Sequence, residues 1–246
     1  MSVLMVAEIG INHGGDESVA RDMILAAKSS GADVAKFQWY RPLEVLGHDS
    51  PYLAEATKCQ FSEETHARLK AFCDEIGIEW CCSIFHLDQV DIMERLGMRR
   101  YKIASRSARN MPLLYEVARL RKPILLSTGM LELAEIPRIL DILAGCDVTL
   151  MHCISKYPTR PNEARVERVR VLRDRYGVPV GFSSHCPNPA PTVMAVSAYG
   201  ACATENHVVF SREQPGCDVS SSITFDELAS MAGQIRHIKA AKAILA

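Results

Sequence analysis

Two histidines, two lysines and a glutamate carry the most distinctive chemistry in this sequence. His185 and His207 each close an apolar run, Val178-Pro-Val-Gly-Phe-Ser-Ser-His185 and Cys202-Ala-Thr-Glu-Asn-His207. If these runs are adjacent strands, a spacing of about 4.8 Å brings the imidazoles within several ångströms of each other on one face. Two neutral imidazoles with an acid nearby, Glu8 being the candidate, suit a divalent metal acting as a Lewis acid. The competing reading is a pair of ordinary hydrogen-bonded histidines. Lys36 and Lys102 sit inside otherwise apolar runs, Asp33-Val-Ala-Lys-Phe-Gln38 and Arg100-Tyr-Lys-Ile-Ala-Ser105, where an unpaired ammonium is costly to bury. With Ser105, Ser127 and Ser155 as hydroxyl donors, the two cations form a cradle for a phosphate and a carboxylate. Two alternatives stay open here: internal Lys-carboxylate pairs, and a desolvated Schiff-base lysine of the aldolase kind.

These residues can meet only if the elements around them bring them together. Apolar runs recur at Val3 to Ile9, Asp33 to Phe37, Ile78 to Ser83, Arg100 to Ile103, Pro123 to Leu126, Asp147 to Met151, Val178 to Phe182 and Cys202 to Glu205. Near-continuous apolarity is what strands covered on both faces require, so the sheet is expected to be parallel. Eight segments of helical periodicity intervene: 17 to 29, 62 to 76, 87 to 96, 111 to 120, 131 to 144, 163 to 175, 189 to 199 and 225 to 244. Ser62-Glu-Glu-Thr65 reads as a helix start, and Gly31, Gly77, Gly97, Gly177 and Gly200 as stops. Eightfold strand-helix alternation in 246 residues predicts a single (β/α)8 TIM barrel over 1–246, with the first and last strands adjacent. An open doubly wound sheet is disfavoured, because no G-x-G-x-x-G fingerprint follows the first strand. Polar residues close every strand, among them Glu8 and Asn12, Lys36 and Gln38, Ser83, Lys102 and Ser105, Ser127, His152, Ser155 and Tyr157, Ser183 and His185, and Glu205 and His207. The barrel mouth is where such residues build sites.

Composition removes several classes. Lys+Arg 28 against Asp+Glu 29 leaves a net charge of -1, which supplies no field for a polyanion, so nucleic acid is not an expected partner. No apolar run reaches the roughly 18 to 20 residues of a membrane span, and the first ten residues lack a signal-peptide pattern. A cytoplasmic protein without membrane partners is expected. The 9 Cys include no C-x-x-C pair and read as core hydrophobes rather than a disulfide framework or a zinc site.

A resemblance sharpens this picture. Ala7-Glu-Ile-Gly-Ile-Asn-His13, Val34-Ala-Lys-Phe-Gln38, Tyr101-Lys-Ile-Ala-Ser105, Lys122-Pro-Ile-Leu-Leu-Ser-Thr-Gly-Met130, Leu150-Met-His-Cys-Ile-Ser-Lys-Tyr-Pro-Thr159, Val178 to His185, Gly200 to His207 and Gln214-Pro-Gly-Cys-Asp218 resemble, in order, the barrel domain of the sialic acid synthase family. The resemblance implies condensation of phosphoenolpyruvate with an N-acyl aldose to a nine-carbon keto acid and phosphate, with a divalent metal, typically manganese and alternatively magnesium. It implies His185 and His207 as metal ligands and Glu8 as the acid that handles the attacking water. Lys36, Lys102, Ser105, Ser127, Ser155 and Tyr157 match phosphoenolpyruvate positions, and Gln38 the sugar side. Asn12 and Asp218, within matched motifs, are also expected to touch substrate.

The sequence departs from the family pattern at Arg106-Ser107, where a Gly and an acidic residue are usual, and at Ser184, where Asp is usual. Loss of these carboxylates is expected to disturb contacts to the sugar and the surroundings of the metal. The C-terminal antifreeze-like domain common in the family is not expected in 246 residues, and a homodimer that covers the mouth is the expected assembly. An altered acceptor, other than N-acetylmannosamine, follows as an expectation. Alternatives are an anion-binding barrel that has lost turnover and a Schiff-base lysine aldolase.

Overall fold

The computed structural model describes residues 3–243. Eight parallel strands follow one another in sequence order: β1 (Leu4–Gly10), β2 (Val34–Trp39), β3 (Glu79–Ile84), β4 (Tyr101–Ile103), β5 (Ile124–Ser127), β6 (Val148–His152), β7 (Val180–Ser184) and β8 (Ala203–Val209). Pairing of β1 with β8, in a register that sets Glu8 opposite His207, closes the sheet. The fold is a (β/α)8 TIM barrel.

Strand period explains the closed core. Along each strand one set of side chains packs outward under the helices, while the alternate set points to the axis. Inside, Val6, Val34, Cys81, Leu125, Met151 and Ala203 form an apolar plug separate from the main core. Two residues further along their strands stand Glu8, Lys36, Ser83, Ser127 and Glu205, joined by Lys102 of β4 and Ser183 of β7, all buried. The apolar floor and the polar layer above it are therefore products of one alternation.

The helices are α1 (Glu17–Ser29), α2 (Pro42–Leu46), α3 (Leu53–Lys58), α4 (Glu63–Ile76), α5 (Gln89–Arg95), α6 (Met111–Arg119), α7 (Ile136–Ile142), α8 (Arg168–Tyr176), α9 (Ala190–Ser197) and α10 (Phe225–Ala243). Caps set the clearest starts. The Asp16 carboxylate accepts from the Ser18 and Val19 N–H groups before α1, and the Ser62 hydroxyl accepts from the Thr65 N–H before α4. The α1 face Ala20, Met23, Ile24 and Ala27 is buried at helical spacing.

Boundaries differ from the sequence expectation at three places. The segment expected as a helix over 131 to 144 is helical only from Ile136, because Pro137 in the first turn fixes the start. The segment over 163 to 175 begins its helix at Arg168, since Arg165 at φ 47° breaks the run. Strand β8 runs to Val209, four residues past the expected end. Its polar residues are buried within the fold: Asn206 bonds Thr192 of α9, and Val208 pairs with Ile223 of the two-residue strand β9 (Ile223–Thr224). Helices α2 and α3 lie in the long connection after β2, which the sequence marked only by its length.

Candidate active site

The mouth of the barrel holds a cavity of about 400 Å³. Its floor is a chain of charged groups. Glu8 Oε2 lies 2.5 Å from Lys36 Nζ, and Glu8 Oε1 accepts from Gln38 Nε2 at 2.7 Å. Lys36 also donates to Ser83 Oγ at 3.0 Å and sits 3.9 Å from Glu205 Oε2. Lys102 donates to Glu205 Oε1 at 2.8 Å, and Ser183 donates to the same oxygen at 3.0 Å. The register dictates these partners, because Glu8 is level with Lys36, and Ser183 with Glu205. At Gly10 the pairing of β1 with β2 shifts by a residue, and φ is +55°. A Cβ there would stand 3.4 to 3.5 Å from Gln38 Nε2, Asp218 Oδ2 and Glu8 Oε1, so an unbranched, left-handed residue lets these groups approach.

Burial alone would strip the proton from Lys36, yet the Glu205 and Glu8 carboxylates outweigh it and hold its pKa above the usual lysine value. Burial likewise opposes ionisation of Glu205, but Lys102 and Lys36 pull its pKa below the usual carboxylate range. The internal Lys-carboxylate pairs considered from the sequence are thus the resting arrangement. This counts against the Schiff-base alternative, which needs a neutral amine: the Lys36 ammonium is stabilised, and the Lys102 ammonium is ion-paired.

Above the floor, the His185 and His207 ring centres are 5.5 Å apart. His185 Nδ1–H donates to the Ile154 carbonyl at 2.6 Å, which fixes the tautomer and leaves the Nε2 lone pair available. Burial, then neighbouring His207, holds its pKa down to about 3, so the ring is neutral. Tyr157 stacks on it at 3.9 Å. His207 Nδ1 is buried without a hydrogen-bond partner, with Asp218 Oδ2 at 3.5 Å. The neutral, oriented His185 ring beside a His207 ring with an orphaned nitrogen fits a divalent cation. Among the described residues no three His, Cys, Asp or Glu side chains form a ready-made cage, so solvent or substrate would complete the coordination.

The cavity wall closes tightly at Gly129. A Cβ there would stand 2.6 Å from Ser155 Oγ, 2.7 Å from Cys153 Sγ and 3.0 Å from Ser105 Oγ. Only glycine lets these three side chains, all of which line the cavity, close on the backbone, whose N–H donates to Ser105 Oγ at 3.1 Å.

Of the residues singled out from the sequence, Glu8, Lys36, Gln38, Lys102, Ser105, Ser127, Ser155, Tyr157, His185 and His207 line one cavity. Asn12 does not. Its amide donates to the Val208 carbonyl at 2.9 Å and to Ser222 Oγ at 3.0 Å, tying the end of β1 to the end of β8. Asp218 stands behind His207 and also lies outside the lining. Ser107 and Ser184 are buried off the cavity wall, and Ser184 Oγ accepts from the Cys186 N–H. Glu205, Ser83 and Ser183 were visible as strand-end polar residues but had no assigned role. For Glu205 and Ser183 the available signal was their spacing of two from His207 and His185, one facing set per strand being required. Tyr40, Val45, Phe85, Arg106 and Met130 on the rim come from connections with no periodicity to read.

The model of the NeuB family matches residues 23–244. The chain belongs to the NeuB family. Among its relatives, N,N'-diacetyllegionaminic acid synthase of Campylobacter jejuni is 33% identical over 257 residues, covering 97% of this chain and 77% of that protein. N-acetylneuraminate-9-phosphate synthase of Drosophila melanogaster is 30% identical, covering 97% of this chain and 68% of that protein. The crystal structure of N-acetylneuraminic acid (sialic acid) synthetase from Leptospira borgpetersenii, in complex with citrate, superposes with a TM-score of 0.93 at 28% identity, over 97% of this chain and 84% of that one. This NeuB member shares its fold with that crystal structure, and no helix among its described residues is long and apolar enough to cross a membrane.

Proposed function

We propose that this chain condenses phosphoenolpyruvate with an N-acyl aldose, consuming water and releasing phosphate and a sialic-acid-like 2-keto sugar acid. The observation that carries the reading is one cavity lined by the hydroxyls of Ser105, Ser127 and Ser155, two ion-paired lysines and two neighbouring imidazoles. The serine hydroxyls of the cavity wall receive the phosphate, and the lysine ammoniums face the charge of the bound anion. Because Lys36 and Lys102 are already fixed by Glu8 and Glu205, no reorganisation is needed when the anion arrives.

His185 and His207 would hold a divalent cation, manganese or magnesium, which when bound supplies Lewis-acid polarisation of the acceptor carbonyl. The enol carbon of phosphoenolpyruvate forms the new bond to that carbonyl carbon as the carbonyl π bond breaks and its oxygen takes up a proton from solvent, and positive charge develops at C2 of the former phosphoenolpyruvate. Water adds there as Glu8 accepts one of its protons. The carbon–oxygen bond to phosphate then breaks as the new C2 hydroxyl gives up its remaining proton and becomes the keto oxygen, and Lys36 and Lys102 stabilise the departing anion. Gln38, bonded to Glu8 Oε1, orients that carboxylate.

The test is phosphate release from phosphoenolpyruvate across a panel of N-acyl aldoses, with and without Mn²⁺. Aldose-dependent release is expected, and its absence across the panel overturns the reading. Calorimetry should show His185→Ala/His207→Ala lowering Mn²⁺ affinity by at least roughly tenfold; parental affinity in that variant would remove the two histidines from the site. Gly129→Ala should fold and weaken phosphoenolpyruvate binding by roughly tenfold, the cost of one methyl forced among three polar atoms. An unchanged dissociation constant would show that the phosphate lies elsewhere.

A further inference from the structure

One thiol stands in the cavity wall, and no step of the reaction uses it. Of the 9 cysteines, Cys153 alone lines the cavity among the described residues. Counting in twos along β6 places it there: Met151 lies in the apolar plug, His152 turns away to the Ala164 carbonyl, and Cys153 returns to the axis above the plug. Strand β5 runs likewise through Leu125, Ser127 and Gly129, and the pairing of Ser127 with Met151 brings Gly129 against Cys153. The sulfur lies 3.2 Å from Ser105 Oγ, the oxygen that also accepts from the Gly129 N–H at 3.1 Å. Because a Cβ at Gly129 would stand 2.7 Å from the sulfur and 3.0 Å from that oxygen, the three groups are held in contact.

Proton accounting gives the contact a direction. A serine hydroxyl has one proton to donate and two lone pairs to fill. At Ser105 the Gly129 N–H fills one lone pair, and among the described residues the Cys153 thiol is the other hydrogen-bond partner of this oxygen. With the thiol donating, both lone pairs are filled and the Ser105 proton is free to face the cavity. With Ser105 donating to sulfur, that proton is spent inside the wall. Sulfur accepts weakly, whereas a phosphate oxygen accepts strongly, so a bound phosphate selects the first arrangement. A neutral thiol provides this donor without setting a negative charge beside the anion, as a carboxylate in its place would.

We propose that Cys153 is a positioning residue of the anion-binding wall: its S–H donates to Ser105 Oγ and thereby aims the Ser105 proton at the phosphate of phosphoenolpyruvate. The placement of that phosphate against Ser105 rests on the condensation reading. A donor aimed before the ligand arrives loses no binding energy to reorientation.

The test is a double-variant cycle, read by calorimetric titration of phosphoenolpyruvate into the parent chain, Cys153→Ala, Ser105→Ala and the two changes combined, beside Cys153→Ser. Cys153→Ala should weaken binding roughly three- to tenfold, the range of one neutral hydrogen bond. Cys153→Ser should restore most of that loss, since a hydroxyl donates from nearly the same place. In the Ser105→Ala background, Cys153→Ala should change the dissociation constant by less than about twofold, because the group it orients is gone. Thermal melting checks folding, which the loss of one sulfur atom is not expected to prevent. An unchanged constant in Cys153→Ala overturns the proposal, and so does equal weakening by Ala and Ser, which would mark the sulfur as packing alone. The same effect of Cys153→Ala with and without Ser105 also overturns it, because the thiol would then act by a route other than Ser105. Each of these results leaves condensation standing where the parent chain releases phosphate in the presence of an aldose. The expected cycle without aldose-dependent release would keep the positioning role and overturn the reaction, and a parent chain that does not bind phosphoenolpyruvate overturns both.

Discussion

Glu205→Leu should lower the unfolding free energy by about 3 to 5 kcal/mol, read from urea denaturation. The carboxylate accepts from Lys102 and Ser183 through one oxygen and faces Lys36 through the other, with all of these groups buried. Removing it strands the Lys102 ammonium in a desolvated site, and the price of an unpartnered buried charge exceeds what leucine regains by burial. Adding Lys102→Met should return part of the loss, since an apolar pair of similar volume needs no counter-charge. A cost below about 1 kcal/mol for the single change, or no recovery in the double variant, would mean that water already solvates the pair.

Acid should destabilise this protein well above the range of its carboxylates. His13, His66 and His152 are buried, and burial is the first cause holding their pKa values to about 4, 3 and 4. Surroundings explain this: His66 stands among Phe37, Trp39, Phe61 and Trp80 with neither ring nitrogen hydrogen-bonded, and His13 Nδ1 accepts from the Gly15 N–H. In the unfolded chain each imidazole takes up a proton near pH 6.5, which the folded chain refuses until about pH 4 or 3. Stability is therefore full above pH 6.5 and falls as the pH drops toward those lower values. At pH 5 each ring contributes a loss of about 2 kcal/mol, and the three together about 6, a large share of a typical domain's stability. Urea midpoints between pH 7.5 and 5 measure this. His185, held to about 3 by burial, adds a fourth ring of the same sign, so His66→Phe should remove about a quarter of the pH dependence; an unaltered slope in that variant would refute the assignment.

The barrel and most of its mouth were legible because strand alternation writes them into neighbouring residues. Lys36 with Gln38, Ser183 with His185 and Glu205 with His207 share faces by counting in twos. What could not be read was which charged groups would meet, since Lys102 and Glu205 stand on β4 and β8 and only closure of the ring brings them together. Asn12 looked like a site residue because it closes a strand, but its amide nitrogen is spent on the seam.

The seam between β1 and β8 governs how the chain reaches its native state. Asn12 bonds the Val208 carbonyl across 196 positions of sequence, and Lys102 finds Glu205 across 103. Such contacts make high contact order, so ring closure is expected to be slow and to come late, after local strand-helix units have formed. A nascent chain that has emerged only as far as β7 holds both lysines of the floor but not Glu205, and the His185 ring without His207. Assembly of the charged floor with its paired imidazoles and completion of the fold are thus expected to be a single kinetic event, triggered when the eighth strand arrives.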